Sequence, residues 1–479
     1  MNNLLRAGGA LLYVALAVFA FGQSITLRGP ITDHDLHAYK LVPFEVPAGT
    51  HRLTVAFSYT GRDQKTVLDI GIFDPQHFRG WSGGDKSQFT ISDVDATPSY
   101  LPGPLLPGTW HLLIGVPNIR RGVTAEYVAN VSFSKTLDES TTPMVLQNGP
   151  AWFQGDLHSH TGQSDGSCNS VRGRGVPCPV FKLAEAAEQQ KLDFLAITDH
   201  NAQSTYNHLR ELQPYYDNLL LIRGREMTTY EGHMNAFGTV EFIDFRLGAA
   251  LPALNDLIRE ARSHGALVSI NHPAAPSGEI CMGCGWIHPA NTDFSEVDAI
   301  EVINGTDAET RFSGIPFWEA RLSEGHRITA IGGSDDHNSG TRSPRNVGVP
   351  TTVVYARELS EPAILESIRA GHVFVKTLGP TGPNISFRAE SDGQQAIMGD
   401  SLAAPRGQQI HFNVEVSGAN GVAIEVIADG QPAPQFGVVA PMQVSLKSDG
   451  QRHWYRVNVR SADGKLLALT NPIYVNFSK

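Results

Sequence analysis

Polar and apolar residues alternate through 51–59 (His-Arg-Leu-Thr-Val-Ala-Phe-Ser-Tyr) and again around 110–116. Turn signals recur at Pro47-Ala48-Gly49 and Pro107-Gly108, and no helical stripe lies between them. A period of two broken by Gly and Pro predicts short strands with one buried face. Residues 23–136 are therefore expected to form a β-sandwich. A linker over 137–150, with Thr141-Thr142-Pro143 inside it, should follow.

After residue 150 the pattern changes. Apolar runs at 194–198, 219–222, 266–270, 299–303 and 328–331 read as strands, and stretches at 179–190, 205–217, 252–263 and 316–324 read as helices. In the third of these helices Leu254, Leu257, Ile258 and Ala261 form a stripe at helical spacing. Pro179 and Pro252 stand near helix starts, where a missing N–H does no harm. Repeated strand–helix units predict an α/β fold over 151–379, with a parallel sheet or barrel. From 380 to 479 the period of two returns, as in 411–416, 422–428 and 454–459, with hairpin signals at Asp429-Gly430, Asp449-Gly450 and Asp463-Gly464. A second β-sandwich is expected there.

Composition adds limits. A chain of 479 residues exceeds one hydrophobic core, which agrees with several domains. A formal net charge of −11 argues against a nucleic-acid partner, because phosphate backbones need a basic surface, and leaves a small-molecule substrate as the expected partner. Residues 1–22 read as a signal peptide: Arg6 precedes an apolar run over 10–21, and Ala20-Phe21-Gly22 offers small residues for cleavage before Gln23. The run is shorter than the roughly 20 residues of a spanning helix, so an exported protein free of the membrane after cleavage is expected. An uncleaved anchor is the competing reading. Oligomeric state is not legible.

Four cysteines form two close pairs, Cys168/Cys178 and Cys281/Cys284. Export favours disulfides that staple loops. Half of a zinc knuckle or a redox motif at Cys281-Met282-Gly283-Cys284, or cross-pairing between the loops, stays open.

The chemistry-bearing residues fall at the ends of the expected strands, the end where βα barrels hold their active sites. Asp156-Leu157-His158-Ser159-His160 puts His158 and His160 on one strand face, able to share a metal, and Asp165 follows. Thr198-Asp199-His200-Asn201 offers His200 as a ligand with Asp199 behind it to orient a ligand. Gly224-Arg225-Glu226 and Gly232-His233 add Glu226 and His233, Asn271-His272-Pro273 adds His272, and Ser334-Asp335-Asp336-His337 places Asp335 and His337 on one face. His208, His264, His288 and His326 lie away from strand ends and read as ordinary helix or loop residues. Six histidines and three carboxylates exceed the needs of one tetrahedral ion, so two or three divalent ions are implied, with Zn, Mn or Fe the suited metals. Glu226, from a middle strand, is the candidate bridge.

Taken in order, Asp-Leu-His-Ser-His, Thr-Asp-His-Asn, Gly-Arg-Glu, Gly-His, Asn-His-Pro and Ser-Asp-Asp-His resemble the motifs of the PHP (polymerase and histidinol phosphatase) superfamily. The cysteine loops, with Glu279-Ile280-Cys281-Met282-Gly283-Cys284-Gly285-Trp286, are similar to its carbaryl-hydrolase-like (CehA/McbA) branch. The resemblance covers about 151–376. It implies a distorted (β/α)7 barrel flanked here by the two β-sandwiches, with a trinuclear site. His158, His160, Glu226 and Asp335 would hold one ion, Glu226, His233 and His272 another, and Asp165, His200 and His337 the third. Some members carry a histidine where this chain has Asp165.

Coordination lowers the pKa of water to about 7, so a metal-activated hydroxide is the expected nucleophile, and no G-x-S-x-G elbow or P-loop competes with it. Glu226, with Asp165 or His337 as proton relay, completes the catalytic set. Arg225, Arg342, Arg345 and Lys376 are candidates to clamp an anionic substrate. Phosphoester hydrolysis is the leading expectation, hydrolysis of a carbamate, ester or amide the second, and a non-catalytic ligand-binding protein the third.

Overall fold

The alternation in 51–59 is realised as a strand whose Leu53, Val55 and Phe57 are buried while Ser58 faces out. In the computed structural model, which describes residues 24–137, 144–247, 253–339, 346–436 and 441–477, the chain divides into two compact units. One comprises residues up to Asp93 together with Ser99–Thr136, and the other Val94–Pro98 with everything from Leu137. The expected signal peptide and most of Thr141-Thr142-Pro143's surroundings (138–143) lie outside the described residues.

The first unit holds β1 (Ser24–Thr32), β2 (Tyr39–Val46), β3 (Arg52–Tyr59), β4 (Val67–Phe73), β5 (Phe78–Gly83), β6 (Gln88–Ser92), β7 (Gly108–Asn118) and β8 (Thr124–Ser134). They form two antiparallel sheets, ordered β1-β8-β3-β6 and β2-β7-β4-β5. Phe44 of one sheet meets Phe133 of the other, ring centroids 6.5 Å apart, so the inward rows share a core.

The second unit begins with β9 (Gln147–Asp156), the hairpin β10 (Ser167–Asn169) and β11 (Gly175–Pro177), and helix α1 (Val180–Gln189). Then come β12 (Phe194–Ile197), α2 (Thr205–Leu212), β13 (Leu220–Thr228), β14 (His233–Phe237), α3 (Leu254–Ser263), β15 (Leu267–Ile270), β16 (Ala299–Asn304), α4 (Ile315–Ser323) and β17 (Thr329–Gly333). After these stand β18 (Thr351–Leu359), α5 (Glu361–Ala370) and β19 (Val373–Lys376). The sheet order β17-β16-β15-β14-β13-β12-β9 returns on itself: Ser159 and Asp336, just past β9 and β17, form a parallel bridge. Asp335 N donates to His158 O at 2.8 Å and His160 N to Asp336 O at 3.0 Å across that join.

An all-parallel arrangement is not what forms. β14 runs antiparallel to both β13 and β15. Only residues 229–232 separate it from β13, and a parallel crossover needs a dozen or more residues. Helix α5 also goes beyond the four helices read from the pattern. Ser360 caps it by accepting from Ala363 N, and Gly371 ends it at φ 78°, a left-handed position suited to glycine. Its Ala363, Ile364, Leu365 and Ile368 bury against Phe153, Phe194 and Val354 of the sheet.

Past 380 the strands are β20 (Asn384–Ser391), β21 (Gln394–Ile397), β22 (Ser401–Leu402), β23 (Gln409–Ser417), β24 (Ala423–Ala428), β25 (Gln431–Pro432), β26 (Met442–Lys447), β27 (His453–Arg460), β28 (Leu466–Thr470) and β29 (Ile473–Val475). One sheet, β21-β20-β23-β26, packs on the other through Phe412 and Tyr455, 4.8 Å apart. The other is continuous with the central sheet, because β28 pairs antiparallel with β19. The boundary expected near 380 is thus crossed by a strand ladder. The whole is a mixed α/β, strand-rich fold, and no helix among the described residues is long and apolar enough to cross a membrane.

Candidate metal centre

All nine ligand candidates meet where β9, β12, β13 and β17 run out. His158 and His160 extend β9, and alternation puts both rings inside the strand circle. Four groups of ligand atoms, each group mutually within 4.8 Å, arise there: His158/His160/Asp335, Glu226/His233/His272, His160/Asp165/His200/His337 and His158/His272/Glu301. None of His208, His264, His288 or His326 belongs to a group among the described residues.

Glu226 stands in the middle. Its Oε1 is 3.3 Å from His158 Nε2, 3.4 Å from His233 Nδ1 and 3.3 Å from His272 Nε2. Its Oε2 is 2.8 Å from His200 Nδ1 and 3.7 Å from His160 Nε2. Asp335 Oδ1 lies 3.4 Å from His158 Nε2 and 3.1 Å from His160 Nε2. Asp165 Oδ1 is 3.3 Å from His337 Nε2 and 3.7 Å from His200 Nε2. Burial by itself would raise the Glu226 and Asp335 carboxyls. For Glu226 the imidazoles of His158 and His233, and for Asp335 those of His158 and His160, hold them well below the usual carboxylate range. Burial pushes the His160 imidazole down, against the Asp335 carboxylate that would accept from its protonated form, so its lone pair is available to a cation.

The donor set fits divalent ions. His158 Nε2 and His160 Nε2 face each other at 3.1 Å, where two bare lone pairs repel unless a cation or proton lies between. Ligand atoms about 2.0–2.1 Å from a tetrahedral ion stand about 3.3 Å apart, close to the spacings here. His160 Nδ1 and both His233 ring nitrogens are buried without a hydrogen-bond partner. Each such orphan costs about 1–3 kcal/mol unless a ligand satisfies it.

Neighbours fix which ring nitrogen faces inward. His272 Nδ1 donates to the Cys284 carbonyl at 3.1 Å and His337 Nδ1 to the Asp335 carbonyl at 2.9 Å, leaving Nε2 of each as the ligand atom. His158 Nδ1 lies 3.2 Å from both oxygens of Glu301, which also accepts from His272 N at 3.0 Å. Sequence reasoning passed over Glu301. It sits inside the apolar run Ala299–Asn304, and a lone carboxylate among Ala, Ile and Val, on a strand buried throughout, was its signal.

Asp199 stands behind the ligand groups and acts on one of them through the backbone. It is buried and accepts from Thr161 N and Oγ1 at 2.7 Å, Ser164 Oγ at 2.7 Å and Thr205 Oγ1 at 2.6 Å. It therefore shapes the turn that presents Asp165. Gly166 closes that turn, where a Cβ would come 2.5 Å from the His160 carbonyl oxygen.

Both cysteine pairs are within disulfide distance inside their own loops, with Cα atoms 4.9 Å apart for Cys168/Cys178 and 5.6 Å for Cys281/Cys284. Each backs a ligand. Cys178 N donates to Gly166 O behind Asp165, and the Cys284 carbonyl holds His272.

Of the cationic candidates, Arg225 and Lys376 are not brought to the centre. Arg225 neighbours Glu226 on β13, so its side chain leaves from the opposite face; it is buried and donates to the Glu241 carbonyl at 2.7 Å. Lys376 is buried with Nζ 2.9 Å from the Pro380 carbonyl and 3.4 Å from Gln154 Oε1, four residues before His158 on β9. Substrate clamping by these two is corrected to a structural role. Arg342 and Arg345 lie outside the described residues.

No family model matches the chain, and no curated protein does. Among solved structures, a two-domain protein from Bacteroides vulgatus, described as containing a predicted PHP-like metal-dependent phosphoesterase, is similar at 18% identity and a TM-score of 0.37. The match spans 70% of this chain and 99% of that one. At that level the likeness carries no weight for the site, which stands on its own geometry.

Proposed function

We propose that the chain is an exported hydrolase of the PHP type, with a distorted (β/α)7 barrel between two β-sandwiches, that uses two or three divalent ions on phosphoesters. The observation that carries this reading is the convergence of three ligand groups around the buried Glu226, with orphaned histidine nitrogens aimed inward. His158, His160, Glu226 and Asp335 would hold one ion, Glu226, His233 and His272 a second, and Asp165, His200 and His337 a third. Bound there, such ions supply a water of lowered pKa and polarise the oxygen under attack. Three carboxylates against two or three divalent ions would leave the centre positive, which suits a phosphate ester. Asp165 and His337 are the more open ligands, with side chains 59% and 28% exposed, and are placed to pass a proton to a leaving group.

One observation favours the carbamate, ester or amide reading. The loops that precede His233 and orient His272 leave Tyr230, Ile280, Met282 and Ile287 exposed, an apolar rim for a neutral substrate. Export rests on residues 1–22; the two cysteine pairs are compatible with it.

Protein loaded with Mn or Zn should hydrolyse p-nitrophenyl phosphate or its bis ester, and His158→Ala should lose more than about 100-fold of that rate. Turnover of a naphthyl carbamate alone would replace the phosphoester reading by the second. Metal-dependent turnover of neither class would leave the non-catalytic reading standing.

A further inference from the structure

The sheet β21-β20-β23-β26 buries Phe387, Ala389, Phe412 and Met442 on one face, so the intervening residues face outward. Strand register lines these up in two rows. Arg388 lies beside Asn413, and Asn413 beside Gln443. In the next row Gln395, Glu390, His411 and Ser445 follow one another across the four strands. A cavity of about 560 Å³ lies over these rows. A second, of about 240 Å³, shares Arg388 and Ile397 with it and ends at Trp152 and Tyr355. The two make one groove. Trp152, 39% exposed, stands at its end with its ring 5.2 Å from Tyr355 and edge-on to Phe374 at 5.3 Å. Trp152 is six residues before His158 on a strand rising about 3.3 Å per residue, so the groove is about 20 Å from the metal centre.

In the second row His411 Nδ1 and Ser445 Oγ pair at 2.7 Å, while other side chains of the groove stay open to a ligand. Among the described residues Arg388, Gln395 and Gln443 make no side-chain hydrogen bond or ion pair, and Asn413 Oδ1 is buried with no partner. Carboxamides offer a donor and an acceptor side by side, the arrangement that matches neighbouring hydroxyls on a sugar ring. Arg388 and Glu390 balance each other's charge, which disfavours a polyanion or polycation. A lipid chain would leave the two rows of polar side chains across the middle of the groove unsatisfied. A protein interface would centre on large aromatic side chains, whereas here the exposed aromatic residue, Trp152, stands at one end. An indole face at that end complements the C–H face of a pyranose.

We propose that this groove binds a neutral oligosaccharide, one ring stacked on Trp152 and its hydroxyls bonded to Arg388, Asn413 and Gln443. The site is independent of the metal centre and would hold the enzyme on a glycan while the centre acts elsewhere.

The test is calorimetric titration of the full metal-loaded chain with neutral hexasaccharides built from glucose, xylose, mannose or N-acetylglucosamine, followed also by tryptophan fluorescence. At least one is expected to bind. Trp152→Ala and Gln443→Ala should each weaken it about tenfold, the loss of one good contact, while metal-dependent hydrolysis is unchanged. Gln443→Ala changes only an exposed side chain and serves if Trp152→Ala fails to fold. Absence of binding across the panel, binding that Gln443→Ala leaves intact, or binding of heparin in place of the neutral sugars would overturn the proposal.

Discussion

His272 and Asp335, two of the nine ligands, hold φ values of 28° and 51°, where residues with a Cβ are strained by about 1–3 kcal/mol. Backbone hydrogen bonds keep them there: His272 N donates to Glu301, and Asp335 N to the His158 carbonyl. Glu301 thus restrains two ligands, the ring of His158 and the backbone of His272. Glu301→Gln keeps the shape but loses the charge that holds the His158 N–H and adds a donor facing it. We expect metal affinity to fall about 10–100-fold, read by competition with a chromophoric chelator, and activity to recover in excess metal. Unchanged affinity would mean Glu301 only packs. Aligned motifs such as His-x-His were legible because ligand types at alternate positions share a strand face. Glu301 was not, because one acidic residue in an apolar run carries no spacing.

Among the elements, the join between β9 and β17 governs the centre. Gly333 ends β17 where a Cβ would meet His158 Cβ at 2.3 Å and Glu301 Oε1 at 2.7 Å, both fixed by their own partners. Gly333→Ala should push His158 off its position and lower metal-dependent activity by about tenfold or more, beyond what a loss of chain flexibility explains. Gly175→Ala, with open space around its Cβ, is the control and should change little. Wild-type activity in Gly333→Ala would show that the join yields. The helices read from periodicity match those seen because their apolar stripes are long enough to count. Helix α5 was equally marked, by Ser360, Pro362 and Gly371, but its strand-like apolar neighbours masked it. The antiparallel turn of β14 followed from a four-residue connection that is plain only once both strand ends are known.

For the molecule as a whole, the ladder between β19 and β28 ties the strands past 380 to the sheet that carries the ligands. Removing residues 380–479 would leave β19 as a bare edge, strip Phe374 of most of the core cluster it belongs to, and expose an apolar strand. The truncated chain should be insoluble or lose its cooperative melt, as seen by circular dichroism and sedimentation. A truncated chain that melts cooperatively near the full-length temperature would show that the C-terminal strands are dispensable.

By itself the sequence determined which residue types could carry the chemistry, where strands and most helices lie, and that ligands gather at strand ends. These are local properties: period, spacing and turn chemistry act over a few residues. The tertiary structure decided what depends on long-range closure. Contact between the ends of β9 and β17, 178 positions apart at Asp156 and Ser334, brings Asp335 and His337 to His158 and His160. Long-range packing likewise gives His158 the carboxylate of Glu301 and sets Lys376 against the Pro380 carbonyl. No local pattern encodes such pairings, because they are fixed by which buried faces and backbone groups must satisfy one another.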